Sequence, residues 1–371
     1  MKPKLPPLLL VGNRGSIHIF RWSRYLDDSR LDYDIYSRQS AASFGQKCQR
    51  DLTSFSSLKD GRIRRFLNPI LALRGMMHAS RYQVVNVHSL DFYNAIISFG
   101  VRGSLLLTCY GSDILVFYEQ SRGLVKLLLR SALRRAKAIT CDSSSVRDLL
   151  VREGIDPGHI DLVTWGVDAE EFCPTGKEER LALRSRFGLP SAALVCLSIR
   201  TLKPLYRILE LVQRFKAEIK SDHIVLFVHV NPFGDSSYVD ECIKAAAGAT
   251  NIVFKTKPID AAEVRSLYRV SDVSLHFPES DATPVSMLEG IACCNAILCD
   301  SSIPAYRELG EAYSLTFTDL SALDEAVLRR ATAMGLASSA ENRRVLMERD
   351  SRSRSAALVS DLVNRLLEGS R

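Results

Sequence analysis

Apolar positions in this chain fall into two kinds of run. Short, dense runs come at 8–12, 33–37, 84–88, 105–110, 138–142 and 160–164, and longer stretches with helical spacing separate most of them. Runs too dense to alternate predict strands buried on both faces, and strands separated by amphipathic helices predict a parallel sheet covered by helices. From 168 to 190 the texture changes. DAEEFCPTGKEERLALRSRFGLP is charged and punctuated by Pro174, Gly176, Gly188 and Pro190, which predicts a hinge with a short helix. A second series of dense runs follows at 193–199, 223–230, 251–255, 273–277, 296–300 and 313–318, then helical patterns over 320–336 and 341–368. The expected fold class is α/β: two doubly wound, Rossmann-like parallel-sheet domains, 1–167 and 191–350, facing across a cleft. The hinge is 168–190, and a C-terminal helix at 351–371 packs back on the first domain.

Length and composition agree with this picture. At 371 residues the chain is comfortable for two domains, and 46% apolar with 25% charged residues is ordinary for a globular protein. No apolar run approaches the length that spans a bilayer. The opening MKPKLPPLLLVG flows into GNRGSIH without a small-residue cleavage site, so it reads as a first strand rather than a leader. Nine cysteines without CxxC spacing, several inside apolar runs, predict reduced core thiols in a cytoplasmic protein. The histidines lack zinc-site spacing, and no metal or cofactor is expected. The net charge of +7 fits an anionic partner. No interleaving of aromatic and basic residues suggests nucleic acid.

In doubly wound sheets ligands bind outside the carboxyl ends of strands. After the first run, Gly12-Asn13-Arg14-Gly15-Ser16-Ile17-His18 is either a plain turn or a loop whose glycines let backbone approach an anion. Tyr110-Gly111-Ser112-Asp113 offers an Asp N-cap, or a phenol and a carboxylate for a sugar. Arg200 and Lys203, after ALVCLSI, suit a diphosphate, the first as a planar fork and the second as a point charge. ESDATPVSMLEG places Asp281 in a loop and Pro284 at the first turn of a helix. Glu289 follows on that helix's exposed or cleft-facing side. Asp32-Tyr33-Asp34 resembles a DxD metal motif but lies at the start of an edge-like strand, the wrong end for a site. Lys126, Arg130, Arg134 and Lys137 recur at helical spacing opposite Leu124, Leu128, Leu129, Ala132 and Leu133. With Lys59, Arg62, Arg64, Arg65 and Arg74 they form either a solvated face or a contact with anionic lipid.

In order along most of the chain, these segments resemble a retaining GT-B glycosyltransferase of family 4. SDATPVSMLEGIACCNAILCDSSIPAYRE is similar to the family's E-x7-E region, with Asp281 at the first acidic position and Glu289 at the second. TCYGSDI resembles the HGxDI element, with Tyr110 where many members carry His. LSIRTLKPLY resembles the phosphate-binding arm, with Lys203 nearer to Arg200 than the family Lys. The segment ending in GVDAEEF resembles the GVD…F turn that precedes the second domain.

The resemblance implies transfer of a sugar from a nucleotide-diphosphate donor to a hydroxyl, in the assembly of cell-surface polysaccharide or glycolipid. Arg200, Lys203 and the helix start at Thr283, Pro284 and Val285 are then expected to stabilise the diphosphate. Asp281 is expected to hold the donor sugar, Glu289 the ribose hydroxyls, and Gly15 to approach the diphosphate through backbone. Tyr110 and Asp113 are expected at the sugar or acceptor. The expected partners are the donor, a glycan or lipid-linked acceptor and an anionic membrane surface, with peripheral attachment. Two other readings stay open: a catalytically silent GT-B binding protein, and a GT-B nucleotide-sugar epimerase.

Overall fold

The computed structural model describes residues 7–38, 47–52, 61–229, 235–256 and 260–369, with side chains of 61–66 excepted. The chain divides into two compact units, Met1–Trp165 with Arg352–Arg371, and Gly166–Ser351.

The first unit holds seven strands: β1 (Leu8–Val11), β2 (Tyr33–Tyr36), β3 (Arg50–Asp51), β4 (Val84–His88), β5 (Ser104–Thr108), β6 (Ala138–Cys141) and β7 (Ile160–Leu162). They form one parallel sheet in the order β3-β2-β1-β4-β5-β6-β7. Its helices are α1 (Ile17–Asp28), α2 (Gly61–Ala79), α3 (Phe92–Ser98), α4 (Gly123–Arg135) and α5 (Ser144–Arg152). The second unit has α6 (Lys177–Arg186), β8 (Leu194–Ser198), α7 (Ile208–Glu218), β9 (Ile224–His229), α8 (Ser236–Ala245), β10 (Ile252–Lys255) and α9 (Ala261–Val270). It continues with β11 (Val273–His276), α10 (Val285–Ala292), β12 (Ala296–Asp300), α11 (Pro304–Ala312), β13 (Thr316–Thr318) and α12 (Glu325–Arg349). Its parallel sheet runs β10-β9-β8-β11-β12-β13. The order reverses between β1 and β4 in one sheet and between β8 and β11 in the other. These are the switch points where such folds leave a crevice.

The pattern of the sequence explains most of this. Every position of β1, β4, β5 and β12 is buried, as strands covered on both faces require. Helix starts follow short acids. Asp91 accepts from Asn94 N at 2.7 Å, Asp260 from Glu263 N at 2.8 Å, and Asp324 from Val327 N at 2.7 Å.

Several expectations are corrected. The segment 168–190 lies inside the second unit, where α6 anchors through Arg184 to Asp272 (2.7 Å) and to the Val270 carbonyl. The chain changes units at 165/166 and again at 351/352. The terminal helices do not break at 337–340. ASSA contains no breaker, and α12 runs through it to Arg349, after a separate 3-10 turn at Leu320–Ala322. The break comes at Asp350, whose buried carboxylate accepts from Tyr313 Oη at 2.5 Å and whose carbonyl accepts from Val167 N at 2.9 Å. The last helix, α13 (Arg352–Glu368), then packs on α1 and pairs Arg352 with Asp28 at 2.6 Å. The DxD strand is not an edge: β3, which dense-run counting misses, flanks it. Asp34 is fully buried and receives Arg50 at 2.7 Å together with the Tyr82 hydroxyl. Among the described residues no acidic, His and Cys cluster could hold a metal ion.

Gly335 of α12 lies so close to β12 that an added Cβ would fall on Ala296. Helix propensity alone would make Gly335→Ala stabilising by about 1 kcal/mol. Overpacking against backbone acts the other way, by about 1–3 kcal/mol. Urea unfolding is expected to show a net loss for Gly335→Ala, and a gain would mean that α12 can move off β12.

Candidate functional site

In the second unit, the loop after β8 and the loop after β11 flank the switch point. Arg200, two residues past β8, points its guanidinium at three groups. Nη2 meets Asp281 Oδ2 at 2.8 Å, Nη1 donates to Ser286 Oγ at 3.1 Å, and the plane lies over the Tyr206 ring at 4.3 Å. The Tyr306 hydroxyl, from α11, donates to the same Asp281 oxygen at 2.8 Å. The Arg200 and Asp281 side chains keep only 12% and 15% of their exposure, so this is a largely desolvated ion pair. Burial opposes the charge on Arg200, but Asp281, with Tyr306 and Tyr206, more than offsets it and raises the pKa above its ordinary value. Arg200 and Asp281, expected to serve different parts of a ligand, are thus each other's counter-ion.

Pro284 is the cap of α10 rather than its first residue, and no side chain closes the first turn. Thr283 is buried and Val285 half-buried beside it. Of the exposed or cleft-facing side expected for Glu289, the exposed one is excluded. Glu289 is buried mid-helix, and its Oε2 accepts from Tyr268 Oη at 3.0 Å; that hydroxyl also lies 3.0 Å from the Ser286 carbonyl. Lys203 stands exposed at the start of the turn Pro204–Tyr206. Arg207, which the sequence did not single out, ends that turn in a left-handed conformation (φ 51°), 3.7 Å from buried Asp300.

Under this group lies His276, the last residue of β11. It is fully buried, both ring nitrogens are without a hydrogen-bond partner, and its ring meets Tyr306 edge-on at 6.4 Å. Burial first, and then Arg200, lower its pKa to about 3, so it is neutral near pH 7.

In the first unit the equivalent strand ends carry rings. Gly12 is required: a Cβ there would meet Ile19 and approach His88 Cβ at 3.1 Å. The loop after it folds on itself, Asn13 Oδ1 accepting from Gly15 N at 3.1 Å, and Ser16 caps α1. Tyr110, after β5, places its hydroxyl 3.0 Å from His88 Nδ1, and its ring 4.5 Å from His18 and 5.3 Å from Trp165. Trp22 meets His88 edge-on at 5.1 Å, and Trp165 Nε1 donates to Asp142 at 2.9 Å. Asp113, expected at the sugar or acceptor, is engaged by backbone. It is buried, and its two oxygens accept the amides of Tyr110 and Leu90 at 2.8 Å each, bracing one loop against the other. Burial raises its pKa above the usual carboxylate value, partly countered by those amides.

With the geometry in place, the chain can be set beside known proteins. Both units together have the GT-B fold. HepE of Anabaena, in complex with UDP and glucose, superposes with a TM-score of 0.78 at 13% identity over 97% of this chain and 100% of that one. Sucrose-phosphate synthase of Thermosynechococcus elongatus gives 0.78 at 13% identity over 98% and 100%. WaaG, a glycosyltransferase involved in lipopolysaccharide biosynthesis, gives 0.73 at 11% identity over 96% and 99%. Residues 15–171 match Glycosyltransferase Family 4. D-inositol 3-phosphate glycosyltransferase 2 of Catenulispora acidiphila is 28% identical over 149 residues, which cover 38% of this chain. The chain spans about a third of the length of that relative.

The sequence had flagged Arg200, Asp281, Thr283, Pro284 and Glu289, and the structure gathers them at one switch point. Of the groups that complete the site, Tyr206, Ser286 and Tyr306 lie inside the stretches the sequence singled out, with no role assigned to them, and Tyr268 lies outside them with no local signal. His276 did carry one: a polar ring near the end of the run VSLHF.

His276 links protonation to stability. Its folded pKa lies below the unfolded value of about 6.5, so the unfolded chain binds the proton more tightly. Its contribution is present above pH 6.5 and is lost as pH falls toward 3. Between pH 7 and 4.5 the loss is roughly 2–3 kcal/mol. Urea unfolding at the two pH values is expected to show a smaller acid loss for His276→Leu than for the wild type. Equal losses would place the acid sensitivity elsewhere.

Proposed function

We propose that the protein is a retaining, metal-independent hexosyltransferase that moves a sugar from a nucleotide-diphosphate sugar to a hydroxyl acceptor. The observation that carries this reading is the Arg200–Asp281 pair beside the uncapped start of α10. Leaving-group departure from such a donor develops negative charge on diphosphate and positive charge on the sugar. Arg200, already aimed by Ser286 and stacked on Tyr206, supplies the planar cation, and the α10 start supplies amides and the positive end of its dipole. Asp281 supplies a carboxylate for the sugar's hydroxyls and for its positive charge. Glu289, held by Tyr268, is the group for the ribose. Gly15 keeps its role as a close backbone approach, and Lys203, exposed, acts only as a peripheral charge.

Its place is the assembly of cell-surface polysaccharide or glycolipid in the cytoplasm, with the acceptor, a glycan or a lipid-linked one, on the first unit. The side-chain stripe there differs from the expected one. Lys126 and Arg130 turn to Glu153, at 3.6 Å each, while Leu124 and Leu127 are 69% and 61% exposed beside exposed Arg134 and Lys137. On α2, Ile70, Leu73 and Met77 are exposed at helical spacing with Arg74, and α3 packs against both helices. Lys59 and the side chains of Arg62, Arg64 and Arg65 lie outside the described residues. Leucines among cations fit the interface of an anionic bilayer. Among the described residues no helix is long and apolar enough to cross a membrane. Co-sedimentation with anionic vesicles at low salt is expected, and it should fall for Leu124→Ser with Leu127→Ser. A chain that stays in the supernatant would remove the membrane from this reading.

The donor site is tested by thermal unfolding against UDP-, GDP-, ADP- and CMP-sugars. One nucleotide class is expected to stabilise the wild type by about 2.7 kcal/mol at a hundredfold excess over its dissociation constant. Glu289→Gln, which keeps an acceptor for Tyr268, should weaken that binding about tenfold. Arg200→Lys should slow turnover more than it weakens binding, because the fork is lost and the charge is not. No response to any donor would favour a silent GT-B binding protein. Conversion of the donor sugar without acceptor would favour an epimerase.

A further inference from the structure

The Tyr110–His88 contact fixes which way a hydrogen bond can run at the first unit's strand ends. His88 is the last residue of β4 and is buried. Burial, with His18 as a smaller cause, lowers its pKa to about 3, so the ring is neutral and carries one N–H. Its Nδ1 lies 3.0 Å from the Tyr110 hydroxyl, and its Nε2 has no hydrogen-bond partner. A buried N–H left without an acceptor is rarer in folded proteins than an acceptor left without a donor. The proton therefore belongs on Nδ1, where it is donated to the Tyr110 oxygen, and the bare lone pair belongs on Nε2, against Trp22. The phenol oxygen then accepts from His88, and its own O–H is turned away. Burial also raises the Tyr110 pKa well above its ordinary value, which keeps that proton in place.

We propose that His88 is a positioning residue that presets Tyr110 as a hydrogen-bond donor to a neutral sugar oxygen. The environment selects that ligand atom. The rings around Tyr110 are half-buried His18, tilted at 4.5 Å, and buried Trp165, edge-on at 5.3 Å, an aromatic setting that suits a neutral sugar oxygen better than a phosphate. Among the described residues no lysine or arginine stacks on the Tyr110 ring. The sugar identity rests on the transferase reading above; the direction of the hydrogen bond does not.

Two measurements test it. Nitrogen-15 long-range correlation spectra of the histidine rings in the full chain, assigned with His88→Asn, are expected to show His88 as the Nδ1–H tautomer. The Nε2–H tautomer would overturn the proposal whether or not the protein transfers sugar. For function, UDP-glucose turnover is compared with UDP binding. Tyr110→Phe and His88→Leu are each expected to lower turnover about five- to tenfold and to leave UDP binding unchanged. The double variant should be no worse than either alone. His88→Asn, whose amide places an N–H near the Nδ1 position, should return turnover to within about threefold of wild type. Additive losses, or an Asn variant as poor as Leu, would reduce His88 to a packing residue. Weaker UDP binding in Tyr110→Phe would move the partner oxygen from sugar to phosphate and overturn the assignment.

Discussion

A parallel sheet covered on both faces leaves its strands nowhere to keep a polar side chain at low cost except at their ends. That constraint organises both units. Interior strand positions are mostly leucine, valine and isoleucine, and buried exceptions such as Asp34 and Asn86 carry hydrogen-bond partners of their own, while Arg200, Asp281 and Tyr110 gather beyond the carboxyl ends. The strand order reverses at β1/β4 and at β8/β11, so neighbouring loops diverge there and leave room for side chains to meet. The chemistry of the molecule is concentrated by topology before any particular residue is chosen.

Within the second unit, the energetic cost of that concentration is met locally. A guanidinium and a carboxylate that are both mostly desolvated would each be expensive alone, and removing one partner of such a pair typically costs about 3–5 kcal/mol. Together, with Ser286, Tyr206 and Tyr306 satisfying the remaining directions, they hold one geometry. Under the proposed function that geometry carries a consequence. A diphosphate reaching Arg200 meets a cation whose charge is already partly answered by Asp281. Donor affinity is then moderated while orientation is preserved, which suits a site that must release its nucleotide product.

How much of this was legible follows the same logic. Dense apolar runs gave the long strands and their parallel sense, because double burial leaves a compositional mark. The two-residue β3 left none, since Arg50 and Asp51 are ordinary edge residues whose roles appear only with their partners, Asp34 for Arg50 and Arg14 for Asp51. Arg200, Asp281 and Glu289 were readable as charges at strand ends. Their contacts were not, because Tyr268 and Tyr306 arrive from helices whose sequence shows only amphipathic spacing. Leu124 was placed on the core side by simple opposition to the cations, yet the core is met by Leu129, Ala132 and Leu133, and Leu124 faces outward. A helical wheel says which residues share a face, not which face the sheet will take.

The two units also answer one problem in two ways. His88 ends β4 and His276 ends β11, each the first strand past its switch point, and burial brings both pKa values to about 3. A neutral imidazole at that position can direct a neighbour only if the neighbour is within hydrogen-bond reach. Tyr110 is, at 3.0 Å from Nδ1. At His276 the nearby phenol, Tyr306, instead donates to Asp281, and the imidazole is left with two idle nitrogens. The difference lies in the competing acceptor. A carboxylate that is already the partner of Arg200 is a stronger acceptor than a neutral ring nitrogen, and it accepts the phenol's hydrogen bond. In the first unit the corresponding carboxylate, Asp113, is spent on two backbone amides, so no carboxylate claims the Tyr110 O–H; under the tautomer proposed above the phenol oxygen accepts from His88 and its own proton stays available.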